Sequence, residues 1–441
     1  MKDLIKDILI DQQDRLKENI RTRSLMLDMT VPKVQTIVGP RRAGKSSLLR
    51  LAISGLIDQG TLWDRICYVP LEDERLRADD FDPDIILQAF RELYPHRTGL
   101  KDVYFFLDEI QYLNHWEYFV NRIYEQVSRH LVITGSNSRT LHTEVASVLR
   151  GRGLAVELLP LSFTEYLAFR DIPFRTSGAG RRAVVLAAFR DYLVQGGFPE
   201  VVLSHEHARR SMLQEYFNTM LYRDILDRYQ PASYRYLRYV LHRIAANTGK
   251  TLALNKIYNE LKSQGYKVSK DKLYEMADLA EAIYLFKRIS RYDPSPVRRE
   301  NSDKKAYFID NGLLNAVTAG FSSNFGALLE NMVFWQLYRI YGNIHTDTIF
   351  YYKDASGECD FVLQLPDDSA LPIQVCWSLR DQDTREREIR GLLRACNAVN
   401  SRTGIIITAE ETGQEVRYGV TIDIRTAWEW GGGMVEEFEV G

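Results

Sequence analysis

An eight-residue run, Gly39-Pro40-Arg41-Arg42-Ala43-Gly44-Lys45-Ser46, followed by Ser47, narrows the choice of fold more than any other part of the chain. It fits G-x-x-x-x-G-K-[ST] without a mismatch. The preceding residues, Val34 to Val38, are a β-rich run, and Ser46 to Ile57 has helical apolar spacing. Strand, glycine loop and helix in that order place successive backbone N–H groups at the positive end of a helix, which is a cradle for phosphate. The two glycines permit the backbone angles the loop needs, Lys45 is placed to reach β and γ phosphates, and Ser46 to ligate magnesium. Gly39 to Ser47 are therefore the candidate nucleotide-binding residues.

A loop of this kind needs a parallel sheet behind it. Buried-strand candidates follow at Ile66 to Pro70, Val103 to Leu107 and Leu131 to Thr134, with helical segments between them, an alternation that implies a covered parallel sheet. The second of these ends in Asp108 and Glu109. Asp108 is expected to hold hydrated magnesium and Glu109 to polarise the attacking water. The next strand runs into Gly135-Ser136-Asn137-Ser138, where a polar side chain would lie between the acidic strand and the γ phosphate. Asn137 is the expected sensor, with Ser136 as the alternative. Arg150 and Arg152 flank Gly151, and either is a candidate finger for transition-state charge on a neighbouring subunit's nucleotide.

These segments, together with Leu107-Asp108-Glu109-Ile110-Gln111, Ile133 to Ser138 and Leu158-Leu159-Pro160-Leu161-Ser162-Phe163, resemble the prokaryotic AAA+-type ATPases whose C-terminal half is a domain of unknown function of the DUF4143 class. The resemblance covers most of the chain. It implies a P-loop fold, ATP and Mg2+ as cofactors, and ATP hydrolysis. Glu72-Asp73-Glu74-Arg75-Leu76 and Gly196-Gly197-Phe198-Pro199 resemble family segments too, but the sequence assigns neither a physical role.

With 441 residues, two or three domains are expected. The α/β chain divides into an AAA+-type ATPase domain with a helical extension at 1–200, a helical linker and winged helix-turn-helix at 201–325, and a restriction-endonuclease-like domain at 326–441. A composition of 45% hydrophobic and 26% charged residues excludes wholesale disorder. The net charge of -2 gives no global pull toward one class of partner, but residues 234–310 hold 16 Lys or Arg against 9 Asp or Glu. Helices are expected at Leu252 to Leu261 and, capped by Ser269, at Lys270 to Ala280. Two strands follow, Tyr284 to Arg291 and Lys304 to Ile309, enclosing a basic tip at Arg298, Arg299, Lys304 and Lys305. That order resembles a winged helix-turn-helix, with Lys270, Lys272 and Tyr274 at the start of the recognition helix and duplex DNA as the expected partner.

The last third should read helix, three strands, helix, two strands. Glu330 on the helix Leu328 to Tyr338, Asp360 on a strand and Gln374-Val375-Cys376 on the next resemble a restriction-endonuclease-like magnesium site, but Gln374 stands where an acid belongs and Cys376 where a lysine belongs. Lys353 on the adjacent strand is a spatial substitute for that lysine. The expectation is a catalytically inactive domain kept for docking nucleic acid or a protein partner. Cys67, Cys359, Cys376 and Cys396 have neither C-x-x-C spacing nor close histidines, so they are read as reduced packing residues. No apolar run spans a bilayer, so a cytoplasmic chain without membrane contact, able to form a homo-oligomer, is expected.

Overall fold

Strands at the front of the chain are continuous apolar runs because helices cover both faces of their sheet. The computed structural model describes all residues except 17–19, 77–80, 136–150, 175–178, 227–233, 319–323, 343–346 and 431–441. It divides into two units, Met1–Leu159 and Pro160–Gly441. In the first, α1 (Lys2–Arg15) precedes β1 (Val34–Val38), α2 (Lys45–Asp58), β2 (Ile66–Pro70), α3 (Asp84–Leu93), β3 (Tyr104–Asp108), α4 (Trp116–Arg122), β4 (Leu131–Gly135) and β5 (Gly153–Glu157). All five strands are parallel, in the order β2-β3-β4-β1-β5. Leu48, Leu49 and Ile53 of α2 pack on Ile37, Phe106 and Val132 from the three central strands.

Two consequences of that order position the site. The loop after β1 and the acidic end of β3 are separated by one strand, so the end of β4 lies between them. In addition β5, for which the sequence gives no strand signal, borders β1 on its other side; its residues are only partly buried, apart from Leu154, which is exposed, so the run lacks the apolar continuity of its neighbours.

The second unit begins with α5 (Phe163–Phe169), α6 (Ala179–Gln195), α7 (Pro199–Leu203) and α8 (Glu206–Thr219). A capping box starts α5: the Ser162 hydroxyl accepts from the Glu165 N–H, and the Glu165 carboxylate accepts from the Ser162 N–H. Next come α9 (Tyr234–Ala246), β6 (Thr251–Leu252), α10 (Leu254–Ser263), α11 (Lys270–Ala282), β7 (Phe286–Ile289), α12 (Pro296–Glu300) and β8 (Lys304–Phe308), the three strands forming a sheet in the order β6-β8-β7. Ser269 caps α11 by accepting from the Lys272 N–H at 3.3 Å.

The expected basic tip is not presented as one surface. Arg298 pairs with Asp293 at 3.2 Å, Arg299 lies over the Phe350 ring, Lys304 donates to Ser290 and pairs with Glu300, and Lys305 is buried. The reason is that the segment after β7 bridges Tyr351, so the wing packs inward against the following sheet.

That sheet follows α13 (Asn311–Val317) and α14 (Phe325–Tyr341). It contains β9 (Ile349–Lys353), β10 (Glu358–Gln364), β11 (Ala370–Val375), then α15 (Gln382–Ala398), β12 (Thr403–Thr408), β13 (Gly413–Arg417) and β14 (Val420–Thr426), before the short α16 (Ala427–Trp430). The strand order is β13-β14-β12-β11-β10-β9, with β11, β12 and β14 parallel. Three strands follow α15 rather than two, because the exposed, polar β13 pairs with β14 as a hairpin at the sheet edge. All four cysteines are buried and free. Among the described residues no helix is long and apolar enough to cross a membrane.

Gly196-Gly197-Phe198-Pro199 acquires a role here. The Asp310 carboxylate accepts from the Gly197 N–H at 2.6 Å and caps α13 through the Leu313 N–H at 2.9 Å. A Cβ on Gly196 (φ +76°) would come within 2.1 Å of that carboxylate, so only glycine lets it approach.

Candidate functional site

At the C-terminal edge of the parallel sheet the loop after β1 turns back over its own lysine. Gly39 is required by crowding, since a Cβ there would stand 2.1 Å from the Leu158 carbonyl oxygen. Gly44, at φ +99°, is the residue before α2, and the first turn of that 14-residue helix carries no acidic side chain to neutralise its positive end. Lys45 is buried, and its Nζ donates to the Gly39 and Pro40 carbonyls, both at 3.2 Å. Ala43 is buried, Ser46 is half-buried on the first turn of α2, and Arg42 and Ser47 are exposed.

Asp108 and Glu109 stand opposite. Asp108 is buried; the Thr134 hydroxyl donates to its Oδ1 at 2.5 Å and the Tyr68 hydroxyl to its Oδ2 at 3.1 Å. Burial raises its pKa and the neighbouring Glu109 charge adds to that, while hydrogen bonds from Thr134, Ser46 and Tyr68 oppose the rise. Thr134 also accepts the Glu109 N–H at 2.8 Å, which fixes Glu109 in a left-handed backbone conformation (φ +53°). Glu109 Oε1 comes within 3.8 Å of Lys45 Nζ, and Gln111 donates to Glu109 Oε2 at 2.5 Å. Lys45, Ser46, Asp108 and Glu109, separated by sixty residues of sequence, are thus brought together.

Asn137, Ser136 and Arg150 lie outside the described residues. Arg152 lies just before β5, whose first residue pairs with the first of β1, so it is at the edge of the sheet opposite the loop, roughly 15 Å away along the strands. There it pairs with Glu125 and its guanidinium faces the Tyr124 ring.

Sequence reasoning missed the groups that hold this arrangement. Thr134 and Tyr68 read as ordinary strand residues. Arg23 sits in a charged lead-in, yet its guanidinium is buried and donates to the carbonyls of Ala43 and Leu159, both at 2.8 Å, fastening the loop to the end of β5. Glu72, in the segment without an assigned role, faces the same place: burial raises its pKa, Glu109 and Asp108 raise it further, and Arg41 and Arg42 of the loop counter them.

The donor set fits magnesium nucleotide. The loop offers N–H groups and an ammonium to phosphate, and Ser46 and Asp108 offer a hydroxyl and a carboxylate to a hard cation. The tail does not fit a metal in the same way. Among the described residues no group of three or more His, Cys, Asp or Glu is arranged to hold one. Glu330 and Asp360 both face Lys305, whereas Lys353, the expected substitute, is half exposed and pairs with Glu358 at 2.9 Å. Gln374 is buried, accepts the Asp360 N–H and donates to Glu388.

Comparison with known proteins gives three successive matches. Residues 31–167 match an AAA domain, residues 186–324 a domain of unknown function (DUF8612), and residues 325–426 a domain of unknown function (DUF4143). An uncharacterized protein of Methanocaldococcus jannaschii is 30% identical over 446 residues, covering 97% of this chain and 95% of its own. One from Haemophilus influenzae is 29% identical, over 80% of this chain and 85% of its own. A Walker-type ATPase of Pyrococcus abyssi superposes with a TM-score of 0.42 at 15% identity, over 72% of this chain and 95% of that one.

Proposed function

The chain belongs to the family of AAA-type P-loop ATPases with a C-terminal DUF4143 domain, and from that premise we propose that it binds and slowly hydrolyses ATP with Mg2+ to rearrange a DNA- or protein-binding effector half. The convergence of Lys45, Ser46, Asp108 and Glu109 on one edge of the sheet carries this reading. Gly39 to Ser47 cradle the phosphates, and Lys45 exchanges its two loop carbonyls for phosphate oxygens. Ser46 and Asp108 would hold magnesium, which would offset charge on the phosphates. Glu109, released from Gln111, takes the proton of the attacking water. Asn137 senses the γ phosphate, and Arg150 or Arg152 acts on the nucleotide of a neighbouring copy in a homo-oligomer. The position of Arg152 at the opposite edge of the sheet supports action in trans rather than on its own nucleotide.

In the effector half the exposed lysines on and between α10 and α11 support DNA contact there rather than at the wing. Lys256, Lys262, Lys267, Lys270 and Lys272 are all exposed, and we assign duplex DNA contact in the cytoplasm to them. The test is steady-state phosphate release with and without duplex DNA over a salt series. Lys45→Ala should abolish nucleotide binding; Glu109→Gln should keep it and lose turnover by about 10²-fold or more. Full turnover by Glu109→Gln overturns the base assignment. A single turnover with tightly retained nucleotide would identify instead a nucleotide-gated switch.

A further inference from the structure

The carboxylates of the tail surround an ammonium. Lys305 Nζ lies 2.6 Å from Glu358 Oε1, 3.3 Å from Asp360 Oδ1 and 3.4 Å from Glu330 Oε1. Its side chain is 1% exposed although it comes from β8 of the three-stranded sheet, while the carboxylates come from α14 and β10. The other sides are closed as well. The Tyr307 hydroxyl donates to Glu330 at 2.8 Å, the Val375 N–H donates to Asp360 Oδ2 at 3.0 Å, and the Tyr351 ring lies 5.5 Å from the ammonium. Gly249 packs so closely on Glu330 that a Cβ there would meet its carboxylate at 2.9 Å.

A buried lysine without partners would shed its proton to escape the desolvation cost. Here burial opposes the charge, but the surrounding carboxyl groups outweigh it and hold the lysine protonated. Those carboxylate oxygens, from one helix and one strand, are hard ligands of the kind a divalent cation takes at about 2.0–2.6 Å. The ammonium stands among all three oxygens, so a divalent ion cannot approach them together while it is there. The magnesium implied by a restriction-endonuclease-like fold is therefore displaced by a side chain from another part of the chain.

We propose that Lys305 is a built-in cation that takes the place of a divalent metal among Glu330, Glu358 and Asp360, and so latches the three-stranded sheet to the C-terminal sheet. The latch is independent of the ATPase reading. It has one moving part, β8: withdrawing it would leave three carboxylates facing one another, a state that only a metal or protons can stabilise. Lys353, paired with Glu358, and Glu388, reached through Gln374, are the nearest further charges.

The experiment compares nucleotide-free wild type with Lys305→Met, which keeps the apolar stem. Wild type should melt at the same temperature with and without millimolar Mn2+. Lys305→Met should melt several degrees lower, regain that loss in Mn2+ and bind one more Mn2+ per chain by electron paramagnetic resonance, a gain removed by adding Asp360→Asn. Mn2+ binding by wild type that depends on Asp360, or Mn2+-dependent cleavage of plasmid by wild type, would overturn the proposal. So would a Lys305→Met chain that is as stable as wild type and takes up no extra Mn2+. Should Lys305→Met fail to fold, Glu358→Gln leaves the lysine two carboxylates. It should then speed amide exchange in β8 and β10 together, with β1 and β3 unaffected, and unchanged exchange is the negative result.

Discussion

Single side chains decide how well the phosphate loop is held, and Arg23 is the most consequential of those invisible in the sequence. Each of its two hydrogen bonds joins a charged donor to a buried carbonyl, the kind of contact worth about 1.5–3 kcal/mol. Arg23→Met should lower the stability of the unit Met1–Leu159 by roughly 3–6 kcal/mol in a urea titration and weaken nucleotide binding in parallel. Asp310 gives a test of a different kind. Burial raises its carboxyl pKa to about 6, while the Gly197, Leu313 and Gly312 N–H groups and Arg339 oppose the rise. Because the folded state holds this proton above the pH at which the unfolded chain releases it, stability falls as pH rises from about 4 to about 6 and is level beyond. A shift of about two units corresponds to about 3 kcal/mol. The wild-type-minus-Asp310→Asn difference in unfolding free energy should therefore decline across that window, and a flat difference would refute the assignment.

Secondary-structure elements explain which parts of the molecule were legible from sequence. The loop at Gly39 and the acids at the end of β3 were readable because local chemistry specifies both: a glycine loop between strand and helix, and carboxylates where an apolar run stops. The Ser269 cap of α11 was readable for the same reason. β5 was not, because its pairing with β1 comes from the sheet and not from its own mixed run. Thr134 acts through strand order, which no single strand reveals. The wing tip does not form one open basic surface, because Lys305 is buried among the tail carboxylates, Arg299 lies over Phe350, and Arg298 and Lys304 pair with Asp293 and Glu300. The exposed lysines of α10 and α11 remain. If they contact phosphates, replacing Lys270 and Lys272 by alanine should reduce the slope of log affinity for duplex DNA against log salt by about 2 and leave sequence preference unchanged. An unchanged slope places the nucleic-acid contact elsewhere.

On the scale of the whole molecule, a boundary between matched families cuts through a cluster of charged contacts. The DUF4143 match begins at residue 325, which leaves Lys305 on one side and Glu330, Glu358 and Asp360 on the other. A fragment starting at 325 should be expressed poorly or need divalent cation to stay folded, whereas one starting at 160 should be stable without it; light scattering and circular dichroism of the two would decide. The lysine thus makes the tail a conditional module. Separated from the segment upstream, its three carboxyl groups lose the ammonium that stands among them, so a chain joined to the tail alone must supply a positive charge of its own.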